Sequence, residues 1–306
     1  MGALRSSTPT RIAFQCNLCG QENALGPAHL VDPELPSCSR CASNIRVRWL
    51  AHRVSRELFG RSLPVFDFPR RQSVMGLGLS DLDALADHLT KKFSYRNTYY
   101  DRAPRFDIRF DDSPIGDLDF LISSEVFEHV EPPAGQAFRN SARLLKPSGF
   151  LLLTVPWVYD GIPENALPDL YDWKLAQEDG RWVIVNRSPA GNVQRYDDLV
   201  FDGRPGPCLG STREHFPNLL DWRLLEANGA QILENHPLNG GVERFENLTF
   251  HGGSGLVLEM RLFTRGGLQR ELSSAGFRSI EFEEEECPAF GIVFPYTWSR
   301  PIIARL

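Results

Sequence analysis

Leu118-Asp119-Phe120-Leu121-Ile122-Ser123-Ser124-Glu125-Val126-Phe127-Glu128-His129-Val130 opens on a short apolar run and closes on serines, glutamates and a histidine. A run of that length, apolar at successive positions, reads as a strand buried on both faces of a parallel sheet. The polar residues behind it then form the loop at its carboxyl end. Helical spacing follows over 134–145, Lys146-Pro147-Ser148-Gly149 stops it, and 150–155 supplies a second buried strand. Upstream, 73–77 is a short strand running into a turn with Gly76 and Gly78. Residues 81–93 have helical spacing with an acidic first turn, and 97–100 and 105–110 read as strands. Downstream, 264–276 reads as a helix and 277–283, 291–294 and 301–304 as strands. Strand and helix in alternation predict an α/β fold, a parallel sheet with helices on both faces.

The 306 residues carry 33 basic and 39 acidic side chains, a net charge of −6. A protein that grips nucleic acid by a basic face has the opposite balance, so nucleic acid is disfavoured as a partner. The first residues hold no apolar core of a leader peptide, and the longest apolar stretch, 150–158, is too short to cross a bilayer. A soluble, cytoplasmic protein without membrane contact is expected.

Four of the six cysteines form two pairs of equal spacing, Cys16-Asn17-Leu18-Cys19 and Cys38-Ser39-Arg40-Cys41. Each pair sets two thiolates on one tight turn, and two such turns close a tetrahedron around Zn²⁺. With four sulfur ligands the site is structural. Paired redox chemistry and four unrelated thiols are the competing readings. The unit, 12–45, is rich in glycine and proline, and 46–59 follows it as a helix with Arg46, Arg48, Arg53 and Arg56 between its apolar positions. Those arginines face solvent or, in the alternative, phosphate.

From 158 to 262 the helical rhythm stops and the sequence repeats itself. Pro168-Asp169-Leu170-Tyr171-Asp172-Trp173-Lys174-Leu175 returns as Pro217-Asn218-Leu219-Leu220-Asp221-Trp222-Arg223-Leu224, an offset of 49 residues. At the same offset 194–201 returns as 243–250, and Asn186 and Gly191 return as Asn235 and Gly240. We read a tandem duplication, about 168–206 and 217–255, each copy a β-hairpin with a tryptophan anchor. The acidic run 281–286 reads as a solvated strand edge.

The segments around Gly76-Leu77-Gly78, 118–130 and 144–154 together resemble class I S-adenosylmethionine-dependent methyltransferases, over about 72–157 and again over 263–306. The resemblance implies a Rossmann-like sheet at 46–157 and 263–306, a small N-terminal zinc ribbon, and a β-rich insert after the fifth strand. It implies that S-adenosylmethionine lies over Gly76, Gly78 and Ser80, its ribose on Asp101, its adenine near Asp107 and Ile108, and its sulfonium toward Ser124 and Glu125. The chain departs from the family where Val74 replaces an acid and Ser80 a third glycine.

Methyl transfer needs alignment and, for a hydroxyl acceptor, a base. His129, just past a strand end, has the pKa range for it, with orientation of the loop as its other role. The insert follows a strand that also ends at the ligand edge, so it is placed to cover the acceptor, with Trp157 and Tyr159 nearest. O-methylation of a small-molecule or glycan acceptor is therefore the expected function. The alternatives are RNA methylation through the zinc unit and the 46–56 helix, methylation of a sugar carbon, and a non-catalytic scaffold.

Overall fold

The computed structural model describes residues 11–32, 34–110, 117–158, 170–178, 181–196, 213–216, 219–227, 229–251, 257–294 and 299–306. The described residues open on a hairpin, β1 (Ile12–Gln15) and β2 (Glu22–Leu25), followed by a short helix α1 (Pro27–Val31) and the long α2 (Ile45–Phe59). Asn44 caps α2 by accepting the Val47 N–H at 3.0 Å, and Gly60 ends it in the left-handed conformation.

A six-stranded sheet follows, built from β3 (Arg71–Leu79), α3 (Asp83–Lys92), β4 (Phe93–Thr98), β5 (Leu118–Ser124), α4 (Gly135–Leu144) and β6 (Leu145–Thr154). After β6 come β7 (Trp157–Val158) and the insert, then α5 (Arg265–Ala275), β18 (Ser279–Phe282) and β19 (Ile302–Arg305). The strand order is β18-β19-β6-β5-β3-β4, with the last four parallel and β19 antiparallel to its neighbours. The chain leaves β3 for β4 on one side and returns to β5 on the other. The point of reversal therefore lies between the carboxyl ends of β3 and β5, where open α/β sheets hold their ligands.

Period-2 alternation sends Phe120, Ile122, Phe150 and Leu152 to one face, against α2 and α3. It sends Leu121, Leu151 and Leu153 to the other, against Phe138 of α4 and Leu268 and Leu272 of α5. The first of these cores runs without a break into Phe14, Cys16, Leu18 and Cys38 of the N-terminal unit.

Several expectations change here. Residues 105–110 and 291–294 form no strand; Tyr99 with Arg105 and Cys287 with Ile292 make only isolated bridges. The acidic run 281–286 is a solvated edge only in part: β18 is the edge strand of the sheet and Glu281, Glu284, Glu285 and Glu286 are exposed, but Glu283 is 7% exposed and accepts the Trp49 indole N–H at 2.9 Å. Glu281 pairs with Arg53 and Arg305, and Glu285 with Arg56. Finally, Gly76 and Gly78 are not a turn, since β3 runs straight through both. Gly76 sits opposite Tyr95 on one neighbour and Phe120 on the other. Those two rings stack across it with centroids 5.8 Å apart, although their strands are separated by two steps of about 4.8 Å. A methyl group at Gly76 would lie 2.6 Å from Phe120 Cε1, and one at Gly78 would overlap the Tyr95 hydroxyl and the Asp81 carboxylate. The glycines make room for the protein's own rings. Gly76→Ala is accordingly expected to cost about 1–3 kcal/mol in a denaturant titration. A glycine needed only by a bound cofactor would leave that midpoint unchanged.

The insert contains two three-stranded sheets. One holds β8 (Asp172–Glu178), β9 (Arg181–Arg187) and β10 (Val193–Tyr196). Past β11 (Arg213–Glu214), the other holds β12 (Asp221–Ala227), β13 (Ala230–His236) and β14 (Glu243–Phe245). Asn186 pairs with Trp173 in the first register and Asn235 with Trp222 in the second. Each asparagine accepts a backbone N–H at the sheet entrance, from Tyr171 at 2.9 Å and from Leu220 at 3.0 Å. Each also donates to the third strand, to Gln194 and to Glu243. Strands β15 (Phe250–His251), β16 (Val257–Leu258) and β17 (Arg261–Thr264) lead back to α5. No helix among the described residues is long and apolar enough to cross a membrane.

Candidate active site and metal centre

The cysteine turns are built alike. The N–H of each first cysteine donates to the carbonyl five residues on, Cys16 to Gln21 at 2.8 Å and Cys38 to Ser43 at 3.1 Å. Each first carbonyl accepts from the N–H four residues on, that of Gly20 at 2.8 Å and of Ala42 at 3.0 Å. Both fourth residues take positive φ, +77° and +55°. The turns face each other with Cys16 Sγ 3.6 Å from Cys41 Sγ and Cys19 Sγ 3.5 Å from Cys38 Sγ, and all four sulfurs lie within 4.8 Å of one another. A tetrahedron with Zn–S arms of about 2.3 Å has edges of about 3.8 Å, so the donor set suits that ion. Asn23 Nδ2 approaches Cys38 Sγ at 3.5 Å and Ser43 Oγ approaches Cys16 Sγ at 3.4 Å, as outer partners of a thiolate site do.

At the point of reversal in the sheet, the ends of β3 and β5 both carry a non-glycine residue in the left-handed region, Ser80 at φ +58° and Glu125 at φ +52°. Such backbone costs on the order of 1 kcal/mol or more and gathers at functional sites. The Ser80 N–H donates to the Thr98 carbonyl at 2.7 Å, and the Glu125 N–H to the Thr154 carbonyl at 2.9 Å. Ser124 shares a 2.9 Å hydrogen bond with Thr154 Oγ1. Leu82 and Tyr100, just past β3 and β4, expose more than half their surface, and Asp101 beside them is exposed. Beneath this edge Asp81 is buried and receives the Tyr95 hydroxyl, while its Oδ1 has no hydrogen-bond partner. Burial pushes its carboxyl up to about 8.

Glutamates cluster around Glu125. Glu128 has no exposed surface and neither of its oxygens accepts a hydrogen bond. Burial, then the neighbouring Glu125, raises its pKa well above the usual carboxylate range. Glu259, on the return from the insert, is pushed up to about 7 by burial and by Glu125. Arg46 of α2 reaches Glu125 at 2.9 Å and also pairs with Glu34 from the loop between the cysteine turns. His129 places Nδ1 2.9 Å from the Leu258 carbonyl and Nε2 3.6 Å from Glu128. The Met260 N–H donates to the Glu128 carbonyl at 2.7 Å, and Arg261, paired with Glu214, donates to the Phe127 carbonyl at 2.5 Å. The insert therefore comes back to the sheet on the turn that follows β5.

Of the residues singled out in the sequence, Ser80, Asp101, Ser124, Glu125 and His129 lie at this edge. Gly76 and Gly78 lie behind it, under the rings. Asp107 is held by Arg109 at 2.8 Å, and Arg109 in turn by Glu131. Ile108 is not free to face a ligand: it is 4% exposed in the core, its carbonyl held by Asn140. Trp157 is corrected as well. It is 1% exposed, its ring packs edge-on against Phe282, and its N–H donates to the Arg300 carbonyl, which removes it from acceptor contact. Tyr159 lies outside the described residues. His215 stacks on Trp173 with centroids 4.3 Å apart and is pushed down to about 4 by burial, a packing residue of the insert. Asp81, Glu128, Glu259, Glu34 and the role of Arg46 were not singled out. For Glu128 the adjacent His129 was a signal; for Glu34 and Glu259 the sequence offers none.

The four arginines of α2 are committed within the fold. Arg48 is fully buried and donates to the carbonyls of Ser43, Phe290 and Gly291. Arg46, Arg53 and Arg56 pair with glutamates. The arginines read as a solvated face, or in the alternative as phosphate contacts, are thus paired or hydrogen-bonded within the protein itself.

A family model described as a methyltransferase domain matches residues 80–153. Among solved structures, the chain is similar to DesVI of Streptomyces venezuelae, at 14% identity over 76% of this chain and 83% of that one, with a TM-score of 0.33. The sugar N-methyltransferase KedS8 of Streptoalloteichus sp ATCC 53650 matches at 14% over 85% and 86%, TM-score 0.38. CalS10, an amino pentose methyltransferase of Micromonospora echinaspora, matches at 15% over 84% and 89%, TM-score 0.37. Scores of this size leave the acceptor unassigned. No curated protein matches the chain.

Proposed function

We propose that the chain is a class I S-adenosylmethionine-dependent methyltransferase that methylates a small-molecule or glycan acceptor, at oxygen, in the crevice between the ends of β3 and β5. The observation that carries this reading is the return of the insert onto 127–129, which brings a β-rich segment to the edge where Ser80 and Glu125 are held in left-handed backbone. Bound S-adenosylmethionine supplies an electrophilic methyl group. Ser80, Asp101 and Ser124 would offer its polar groups hydrogen bonds, the exposed Leu82 and Tyr100 would offer apolar surface, and Glu125 would face the sulfonium cation. His129 takes up the proton of the acceptor: with Nδ1–H donating to the Leu258 carbonyl, Nε2 is the basic nitrogen.

Zn²⁺ on Cys16, Cys19, Cys38 and Cys41 belongs to the same reading, as an ion with four protein ligands and no open position for chemistry. So does a cytoplasmic setting, which keeps those thiols reduced.

The test is methyl transfer from labelled S-adenosylmethionine to a panel of sugars, phenols, amines and structured RNA, with the product located by NMR. Methylation of a sugar or small-molecule hydroxyl, lost in His129→Asn at unchanged donor affinity, is expected. Transfer to RNA alone, or to carbon, would contradict the acceptor proposed.

A further inference from the structure

Arg46 stands between the cysteine unit and the carboxyl end of β5. It lies in the first turn of α2, five residues after Cys41. The turn that starts this helix is held by the cysteine unit: the Ser43 carbonyl accepts the N–H groups of Ser37 and Cys38 and the Arg48 guanidinium, and Ser43 Oγ faces Cys16 Sγ. Asn44, the next residue, caps the helix. The Arg46 guanidinium then spans Glu34, from the loop between the cysteine turns, and Glu125, at the end of β5. The side chains of Arg46 and Glu125 are 15% and 13% exposed, so the pair is largely shielded from the screening that weakens surface ion pairs. Glu125 needs such a partner. Its backbone is in the left-handed region, and two further glutamates, Glu128 and Glu259, act on it electrostatically.

We propose that Arg46 is a positioning residue of the methyl-transfer site: it fixes Glu125 at the strand end, so that order in the cysteine unit passes through α2 to the donor crevice. The inference rests on the reading of that crevice as the donor site. The cysteine unit is then a working wall of the active site and more than an appended stabiliser. Removal of its metal loosens the turn at 38–43, and with it the seat of Arg46.

Titration of the full chain with S-adenosylhomocysteine tests this without reference to turnover. Arg46→Met is expected to weaken binding about tenfold or more, Arg46→Lys to keep most of the affinity, and both to retain one zinc ion and a folded, cooperatively melting chain. In a Glu125→Gln background, Arg46→Met should have no further effect, because both changes break the same pair. A merely structural arginine would lower the melting temperature and leave affinity alone. Should Arg46→Met fail to fold, Glu125→Gln carries the test from the other side of the pair, with the same expected loss. Unchanged affinity in the folded variants overturns the inference while the donor site stands. No binding by wild type overturns the donor-site reading, and the inference with it.

Discussion

Cys16→Ser is expected to release one metal ion per chain and to lower stability by about 4 kcal/mol or more, at the top of the range for single substitutions. The size follows from where the cysteines sit. Cys16 has no exposed surface and Cys38 is 4% exposed, and both belong to the core that contains Phe93, Phe120, Ile122 and Leu152 of the central sheet. A separate finger on a tether would melt alone and leave the sheet intact. Here Phe14 of β1 packs against Gly291, so closely that a Cβ there would be 2.7 Å from its Cδ2. The Asn17 side chain donates to the Arg48 carbonyl at 2.8 Å, and the Val65 N–H donates to the Asn17 carbonyl at 2.7 Å. Loss of metal should therefore appear as a single lowered transition in calorimetry, alongside zinc counted by atomic emission. A metal-free wild type of undiminished stability would show that the four sulfurs hold nothing.

Arg48→Met is expected to cost about 3–5 kcal/mol, because the buried carbonyls of Ser43, Phe290 and Gly291 would lose their shared donor. Its guanidinium also lies over the Phe14 ring, 4.5 Å from the centroid, so the change removes packing as well. Lysine at this position has a single ammonium and cannot match a planar fork that serves three carbonyls. Chemical denaturation of Arg48→Met and Arg48→Lys checks both statements. An arginine that served RNA would instead leave the denaturation midpoint where it is in wild type and lower RNA affinity.

How much of this was legible in the sequence depended on the range of the interaction. Local periodicity sufficed for β5, α4 and the apolar part of β6, because a strand buried on both faces and an amphipathic helix announce themselves within a dozen residues, although Lys146-Pro147-Ser148-Gly149, read as a stop between helix and strand, lies within β6. Matched spacing sufficed to bring the four cysteines together as a set. The glycines of β3 were misread as a turn because their reason is non-local: it exists only once Tyr95 and Phe120 are in register on either side. The arginines of α2 were misread for the same cause. Read singly they look like a solvated face, yet Arg53 and Arg56 pair with Glu281, Glu283 and Glu285, more than two hundred residues away in sequence. At the strand edge the adjacency of Glu128 and His129 was visible, whereas Glu34, Arg46 and Glu259 converge from three distant segments.

The measurement that bears most directly on the central claim is a calorimetric titration of the wild-type, zinc-loaded chain with S-adenosylhomocysteine. Saturable heat at one site per chain, with the melting temperature rising as ligand is added, is the predicted result. A flat titration with no change in melting temperature at saturating ligand would contradict a donor crevice at the ends of β3 and β5.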